Sequence, residues 1–472
     1  MKYYIVLLLM GILTISAAQK ELDKAQIFSV EELREDFDAL RKHIETNNPL
    51  AFVYHSKETI QRRLDSVQAL INRPMTELAF YHIISPIAPM TKDGHNLIMP
   101  SVSLMKRINK SPYHIPLNIR FIENKLVIIR NLSSNNQLKA GDRITSINNV
   151  STPEIIAHLL KVLPQEGSQV EYPKHIIDTW FGFFYNLHYG LVERYDIKYL
   201  NANQQEQQCI IQAESLETIY DRKVKKYPTS IQPKTGIEVK MLDDSLKIAI
   251  LTIPTFATSF LKNRYNQKHF KKLINQSFDF IFEKDVQNLI IDVRSNSGGN
   301  PAYTAHTLKY LFDEPFTQAR EARVITNSDE VDFMARTSKR WFPWYGVGTF
   351  KPKRQNYKNN LYVLMNGGTF SSAVEFVSTL SKYNQATFLG SESGGNPILL
   401  SGNYLKEMRK LPNTKITHYS GFIATIYNDL GLNEGRGLLP NHEVRLTIED
   451  VLNGRDRCLE KTLELIQMET ED

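Results

Sequence analysis

The spacing of apolar and polar positions changes character twice along the chain. After Ser29, the residues Leu33, Phe37, Leu40 and Ile44 recur at intervals of four, three and four, the period of a helix with one buried face. Ser29 with Glu32 three positions on is a capping-box start, and Asn48-Pro49 stops the helix. The pattern predicts a second helix from Lys57 and a third that opens at Met75-Thr76-Glu77 and runs toward Ile87. This helical part closes in a polar loop, Thr91-Lys92-Asp93-Gly94-His95-Asn96. From Tyr113 the period shortens to two. Ile115 to Phe121 alternates, Leu126 to Ile129 follows as a strand, and Leu138 to Asn148 reads as a turn plus a strand. A helix over Pro153 to Leu160 and a hairpin of Tyr195–Leu200 with Cys209–Gln212 complete that stretch.

Residues 236–460 change again, with short continuous apolar runs alternating with helical patterns. Strands are predicted at Leu246–Leu251, Leu289–Val293, Leu361–Met365 and Thr387–Leu389, and helices near 264–282, 303–312 and 371–382. Such alternation argues for an α/β layer structure. The polar segment 220–235, with Pro228 and Pro233, is the predicted main boundary. The expected organisation is a helical region over 19–112, a β-rich module over 113–220 and an α/β domain over 236–462.

The first 18 residues are set apart. Lys2, an apolar run from Tyr4 to Ile15, and then Ser16-Ala17-Ala18 read as a leader cut after Ala18, so an exported, periplasmic or extracellular protein is expected. No later run reaches the roughly 18 apolar residues that a membrane helix needs, so no span is expected in the mature chain. Cys209 and Cys458 are the only cysteines, neither lies in a C-x-x-C setting, and their pairing stays open. The net charge of +6 comes from mixed acids and bases, which gives no reason to expect a nucleic-acid partner. The basic and aromatic stretch with Arg336, Lys339, Arg340, Trp341, Trp344, Lys351, Lys353 and Arg354 reads as a loop beside the site or an inert surface loop. No P-loop and no H-E-x-x-H metal motif is present, and neither cofactor nor metal is expected.

Two segments carry chemistry. In Leu289-Ile290-Ile291-Asp292-Val293-Arg294-Ser295-Asn296-Ser297-Gly298-Gly299 an apolar strand ends in paired glycines, where backbone N–H groups can approach a ligand oxygen closely. In Leu361-Tyr362-Val363-Leu364-Met365-Asn366-Gly367-Gly368-Thr369-Phe370-Ser371-Ser372 a second strand ends in glycines, and a serine stands at the start of a helix. The positive end of that helix favours an alkoxide, although either serine also suits a capping role.

Together, Asp-Val-Arg-Ser-Asn-Ser-Gly-Gly and Asn-Gly-Gly-Thr-Phe-Ser resemble the signature of the S41 serine peptidases, the carboxyl-terminal processing proteases and tricorn-type core proteases. Tyr383 to Gly390 and Ser393-Gly394-Gly395 continue the likeness, which is strongest over 236–445. The resemblance implies a ββα spiral core like that of crotonases and the Clp protease subunit, with Ser371 as nucleophile. It places oxyanion donors at the N–H groups of Gly298 and Ser372. Many processing proteases carry a base lysine about 25 residues after the serine; position 396 is Asn. The tricorn-type branch uses a histidine after an N-terminal helical region, which makes His95 the expected base. Asn433 to Pro440 resembles the late segment that supplies the third group, which implies that role for Glu434. The tricorn pattern has a serine before the histidine, where this chain has Gly94. Leu138 to Ile144 resembles the later part of a PDZ-like module without its carboxylate-binding loop, so a degenerate module is expected. The implied activity is hydrolysis of peptide bonds in a peptide or protein substrate. A catalytically inactive peptide- or ligand-binding protein on the same scaffold is the alternative.

Overall fold

The structure, a computed structural model, describes residues 26–227, 236–257, 267–325, 333–334, 346–402, 409–421, 423–427 and 435–471. The leader and Glu434 lie outside the described residues, as do Arg336 to Trp344 of the basic stretch.

The N-terminal region begins with α1 (Val30–Asn47), where the Ser29 and Glu32 side chains each meet the other's backbone N–H in the expected capping box. Leu33, Phe37, Leu40 and Ile44 are its buried stripe. A helix over Lys57–Gln68 and α2 (Glu77–Ile84) follow, and α2 stops short of Ile87, where a separate turn of helix starts. The loop after it leads into β1 (Leu97–Met99) and a helix over Val102–Lys110, neither of which the hydrophobic pattern revealed.

The β-rich module is an antiparallel sheet in simple sequential order: β2 (Leu117–Ile122), β3 (Lys125–Asn131), β4 (Arg143–Ile147), β5 (Arg194–Leu200) and β6 (Glu206–Gln212). Helix α3 (Thr152–Leu160) follows β4, and the long α4 (Glu171–Tyr189) packs on β2. This module and the N-terminal helices share one hydrophobic core, in which Leu126, Ile144, Ile155 and Tyr195 join Phe37, Ile60 and Phe80. The polar stretch from 220 is not linker at first: α5 (Leu216–Lys226) runs through it. It buries no side chain, which is why its composition reads as a connector.

The remaining chain builds a six-stranded sheet ordered β7 (Glu238–Asp243), β8 (Ile248–Thr252), β9 (Asn288–Asp292), β10 (Asn360–Met365), β11 (Thr387–Gly390) and, at the far edge, His442–Glu443. Every pairing is parallel except β7 with β8. Alternation sorts its side chains into two cores. Ala249, Leu251, Leu289, Ile291, Leu361 and Val363 meet α6 (Gln267–Glu283), α7 (Pro301–Leu308) and α8 (Ser372–Lys382) on one face. Ile248, Ile250, Ile290, Tyr362 and Leu364 meet the C-terminal helix α9 (Arg457–Glu471) on the other. Burial on both faces explains the continuous apolar runs. A smaller antiparallel sheet joins 321–325, 423–426 and 399–402. Strand β12 (Thr417–Tyr419) leaves this domain to pair with β1, setting Tyr419 opposite Leu97 and His418 opposite Ile98. That pairing carries the His95 loop to the α/β domain. Cys209 and Cys458 are both buried free thiols, one in each core region.

Candidate active site

Strands β9 and β10 run side by side, Asp292 opposite Leu364, so their C-terminal turns emerge together. Asn366 locks the turns to each other: its Oδ1 accepts the Ser295 N–H at 2.8 Å and the Gly368 N–H at 2.9 Å. The Thr369 hydroxyl donates to the Val293 carbonyl at 2.9 Å, and the Phe370 N–H to the Asn296 carbonyl at 3.0 Å. Into this frame Ser371 is set at φ 53° and ψ −129°, a conformation that costs a non-glycine residue roughly 1–3 kcal/mol. The sharp bend turns its side chain away from helix α8, where it caps nothing. The Ser372 hydroxyl, by contrast, donates to the Gly299 carbonyl at 3.0 Å. Of the two serines only Ser371 presents its Oγ to the cleft.

His95 Nε2 lies 3.0 Å from Ser371 Oγ, across 276 positions of sequence. Its ring stands against Phe370, centroids 4.5 Å apart, and Phe370 stacks on Tyr172 at 4.1 Å. Burial pushes the His95 pKa down to about 4, so the imidazole is neutral at pH 7 and able to accept a proton. The backbone of the loop is held by acids. Asp93 Oδ1 accepts the His95 N–H at 2.9 Å and the Ser401 hydroxyl at 2.6 Å, and Glu166 Oε2 accepts the Gly94 N–H at 3.0 Å. Behind it, Asn96 donates to the Thr91 hydroxyl at 2.8 Å and shares a 2.6 Å hydrogen bond with His418, whose other nitrogen meets His43 at 2.7 Å. Gly94 has no room for the serine of the tricorn pattern: a Cβ there would fall 2.8 Å from Phe370 and 3.0 Å from Glu166.

Gly298, at φ +95°, packs against Ser371 so closely that a Cβ would lie 2.6 Å from Ser371 Cβ and 2.7 Å from the Ser372 nitrogen. Its own N–H donates to Asn296 Oδ1 at 2.9 Å, so an incoming oxygen shares that donor or displaces the amide. The Ser372 N–H opens helix α8 and has no partner within the helix. A cleft of about 310 Å³ at this point is lined by His95, Ser371, Gly298 and Gly299 with apolar walls from Leu97, Pro164, Tyr172, Phe370 and Tyr419.

Position 396, where a lysine base would stand, holds a fully buried Asn that donates to the Tyr54 hydroxyl at 3.1 Å. Glu434 precedes Gly435, which packs on Gly167: a Cβ on Gly167 would come within 2.2 Å of the Gly435 Cα. Among the described residues one cluster has cation-ligand types in reach: Asp93, His95 and Glu166, with donor atoms within 4.8 Å of one another. These groups already serve the Ser371 contact and the loop backbone, so we read the cluster as hydrogen-bonded scaffold. Glu166 and Tyr54 escaped the sequence reading, because isolated acids and aromatics in loops carry no spacing signal, and Asp93 and Phe370 stood in the quoted segments without a role.

The family model described as Peptidase family S41 matches residues 247–461. Among solved structures, mature CPAF superposes with a TM-score of 0.65 at 12% identity, over 93% of this chain and 96% of that one. CPAF complexed with lactacystin gives 0.65 at 13% identity, over 94% and 98%. The photosystem II D1 C-terminal processing protease gives 0.42 at 13%, over 90% and 98%. No curated protein matches the chain in sequence. The CPAF likeness concerns the fold, and the matched segment 247–461 holds the motif-bearing strands β8 to β11: over that segment the chain is similar to Peptidase family S41.

Proposed function

We propose that this chain is an exported serine peptidase with Ser371 as nucleophile, His95 as general base and Glu434 as the group that steadies the imidazole. The observation that carries the reading is the 3.0 Å contact between Ser371 Oγ and His95 Nε2. A serine hydroxyl needs an adjacent base to attack a carbonyl, and this distance lies within proton-transfer reach. His95 takes the Ser371 proton as Oγ bonds to the peptide carbonyl carbon. The tetrahedral oxyanion forms beside the Gly298 and Ser372 N–H groups. His95 then returns the proton to the leaving amine as the C–N bond breaks, and water clears the acyl-enzyme by the same route. Export rests on the leader read in residues 1–18.

The test is Ser371→Ala in the mature protein, assayed on a peptide library beside labelling by a fluorophosphonate probe. Loss of cleavage together with loss of labelling is expected. Cleavage at the wild-type rate by the variant would remove the assignment.

A further inference from the structure

Glu166 belongs to no motif and sits in the connection between α3 and α4, yet it is fully buried at the heart of the site. Its two oxygens face different parts of the molecule. Oε2 accepts the Gly94 N–H at 3.0 Å, and Oε1 accepts the Tyr54 hydroxyl at 3.3 Å. Tyr54 in turn accepts from Asn396 Nδ2 at 3.1 Å, and Asn396 Oδ1 accepts the Ile398 N–H at 2.9 Å. The next residue, Gly167, donates its N–H to the Lys92 carbonyl at 2.9 Å, so the Glu166 segment grips the His95 loop at two points. A continuous chain thus runs from the α/β domain through Asn396, Tyr54 and Glu166 to the peptide unit that precedes His95.

We propose that Glu166 is the positioning residue of the candidate base, fixing the Asp93-Gly94-His95 turn so that the imidazole meets Ser371. The inference rests on the Ser371–His95 reading above. Glu166 touches the backbone of the loop and not the substrate. Its carboxyl acts as a hydrogen-bonding hub, and burial first, with the Asp93 carboxyl second, pushes its pKa well above the usual carboxylate range.

The experiment compares Glu166→Ala and Glu166→Gln with wild type and Ser371→Ala, measuring kcat and KM separately and the rate of fluorophosphonate labelling. Glutamine can keep an acceptor on Gly94 and a polar contact to Tyr54, whereas alanine keeps neither. We expect Glu166→Ala to lose 10- to 100-fold in kcat and in labelling rate with KM within threefold of wild type. Glu166→Gln should restore kcat to within threefold, across pH 6 to 8. Should Glu166→Ala fail to fold, Tyr54→Phe carries the test, with three- to tenfold lost from kcat alone. A wild-type kcat in Glu166→Ala, or in Tyr54→Phe when that variant stands in for it, overturns the inference. So does a Glu166→Gln variant as impaired as the alanine variant. Wild-type turnover by Ser371→Ala would instead strike the peptidase reading itself, and the inference with it.

Discussion

The Ser371 side and the His95 side of the site are held by different physics. Ser371 stands at the end of a parallel strand buried from Leu361 on and at the start of a buried helix, its bend fixed by backbone contacts between the 292–299 and 366–373 turns together with the Asn366 and Thr369 side chains of those turns. His95 stands on a loop whose hold comes from polar side chains of distant segments: Glu166, Ser401 and His418. Ser371, the proposed nucleophile, is therefore placed by sheet geometry, which tolerates conservative change in the core. His95, the proposed base, is placed by a buried polar network, where removing one partner leaves another unsatisfied at a cost of about 1–3 kcal/mol.

The sharpest way to break the comparison is to remove the base while leaving its scaffold. We expect His95→Ala to lower kcat on the order of 10⁴-fold or more with little change in melting temperature. A loss below tenfold would mean that another group takes the Ser371 proton. The same histidine makes a pH prediction. It must be neutral to act, and burial sets its pKa near 4, so kcat/KM should hold level as pH falls through 6.5 and drop only toward pH 4. An acid limb at 6.5 would show that the charge of the proposed third group, Glu434, outweighs burial and restores ordinary basicity.

Next in size is Gly298→Ala, which probes the nucleophile side. Its methyl group would sit 2.6 Å from Ser371 Cβ, and φ +95° disfavours any Cβ, so the two catalytic turns must move apart. A 100- to 1,000-fold fall in kcat is expected, of the size seen when an oxyanion donor is lost. Fluorophosphonate labelling slowed to the same degree would confirm the local cause; unchanged turnover would place the oxyanion elsewhere. On the other side, His418→Ala removes the partner of Asn96 and of His43. We expect about a tenfold loss in kcat and a loss of stability of about 2 kcal/mol in denaturant unfolding. Full activity would show that β1 and β12 pairing alone holds the loop.

The same contrast explains what was legible in the sequence. The Ser371 side is local: strand, glycine pair, serine and helix follow one another within about a dozen residues, so its layout could be read from runs such as Leu361-Tyr362-Val363-Leu364-Met365, while the choice of Ser371 and Gly298 came from the family likeness of the two segments. The base side is assembled at long range. His95 was reachable only through the missing lysine and a family likeness, and nothing near Glu166 or His418 distinguishes them from solvated loop residues. Helix α4 hid for another reason: its buried stripe of Pro173, Ile177, Phe181 and Phe184 is blurred by apolar residues off that face such as Ile176, Trp180 and Phe183. Gly94 looked like a defect in the relay and is a packing requirement, given Phe370 and Glu166 beside it.

One acid crosses the divide. Glu375 lies inside helix α8 on the nucleophile side, buried, accepting the Tyr427 hydroxyl at 2.6 Å and the Gln318 amide at 2.8 Å. Burial raises its pKa to about 7. A carboxyl whose folded pKa exceeds its unfolded value near 4.5 makes no difference to stability below about pH 4.5. It penalises the folded state increasingly as pH climbs to 7, and the full penalty, about 3 kcal/mol, persists above that. Glutamine has the shape of the neutral acid and can be satisfied here. Its carbonyl can accept from Tyr427, and its amide can donate to Gln318 Oε1, which has no partner among the described residues, once the Gln318 amide turns over. Glu375→Gln should therefore leave kcat at neutral pH within twofold of wild type, because the Glu375 carboxyl bonds Tyr427 and Gln318, and only its backbone N–H, which glutamine keeps, meets the Ser371 carbonyl. Its stability advantage in denaturant unfolding should grow by about 2 kcal/mol between pH 5 and pH 8. An advantage that stays constant with pH would mean that Glu375 is ionised in the fold. A sharp loss of kcat would mean that the nucleophile side also depends on a polar network, and the two sides would then differ in degree and not in kind.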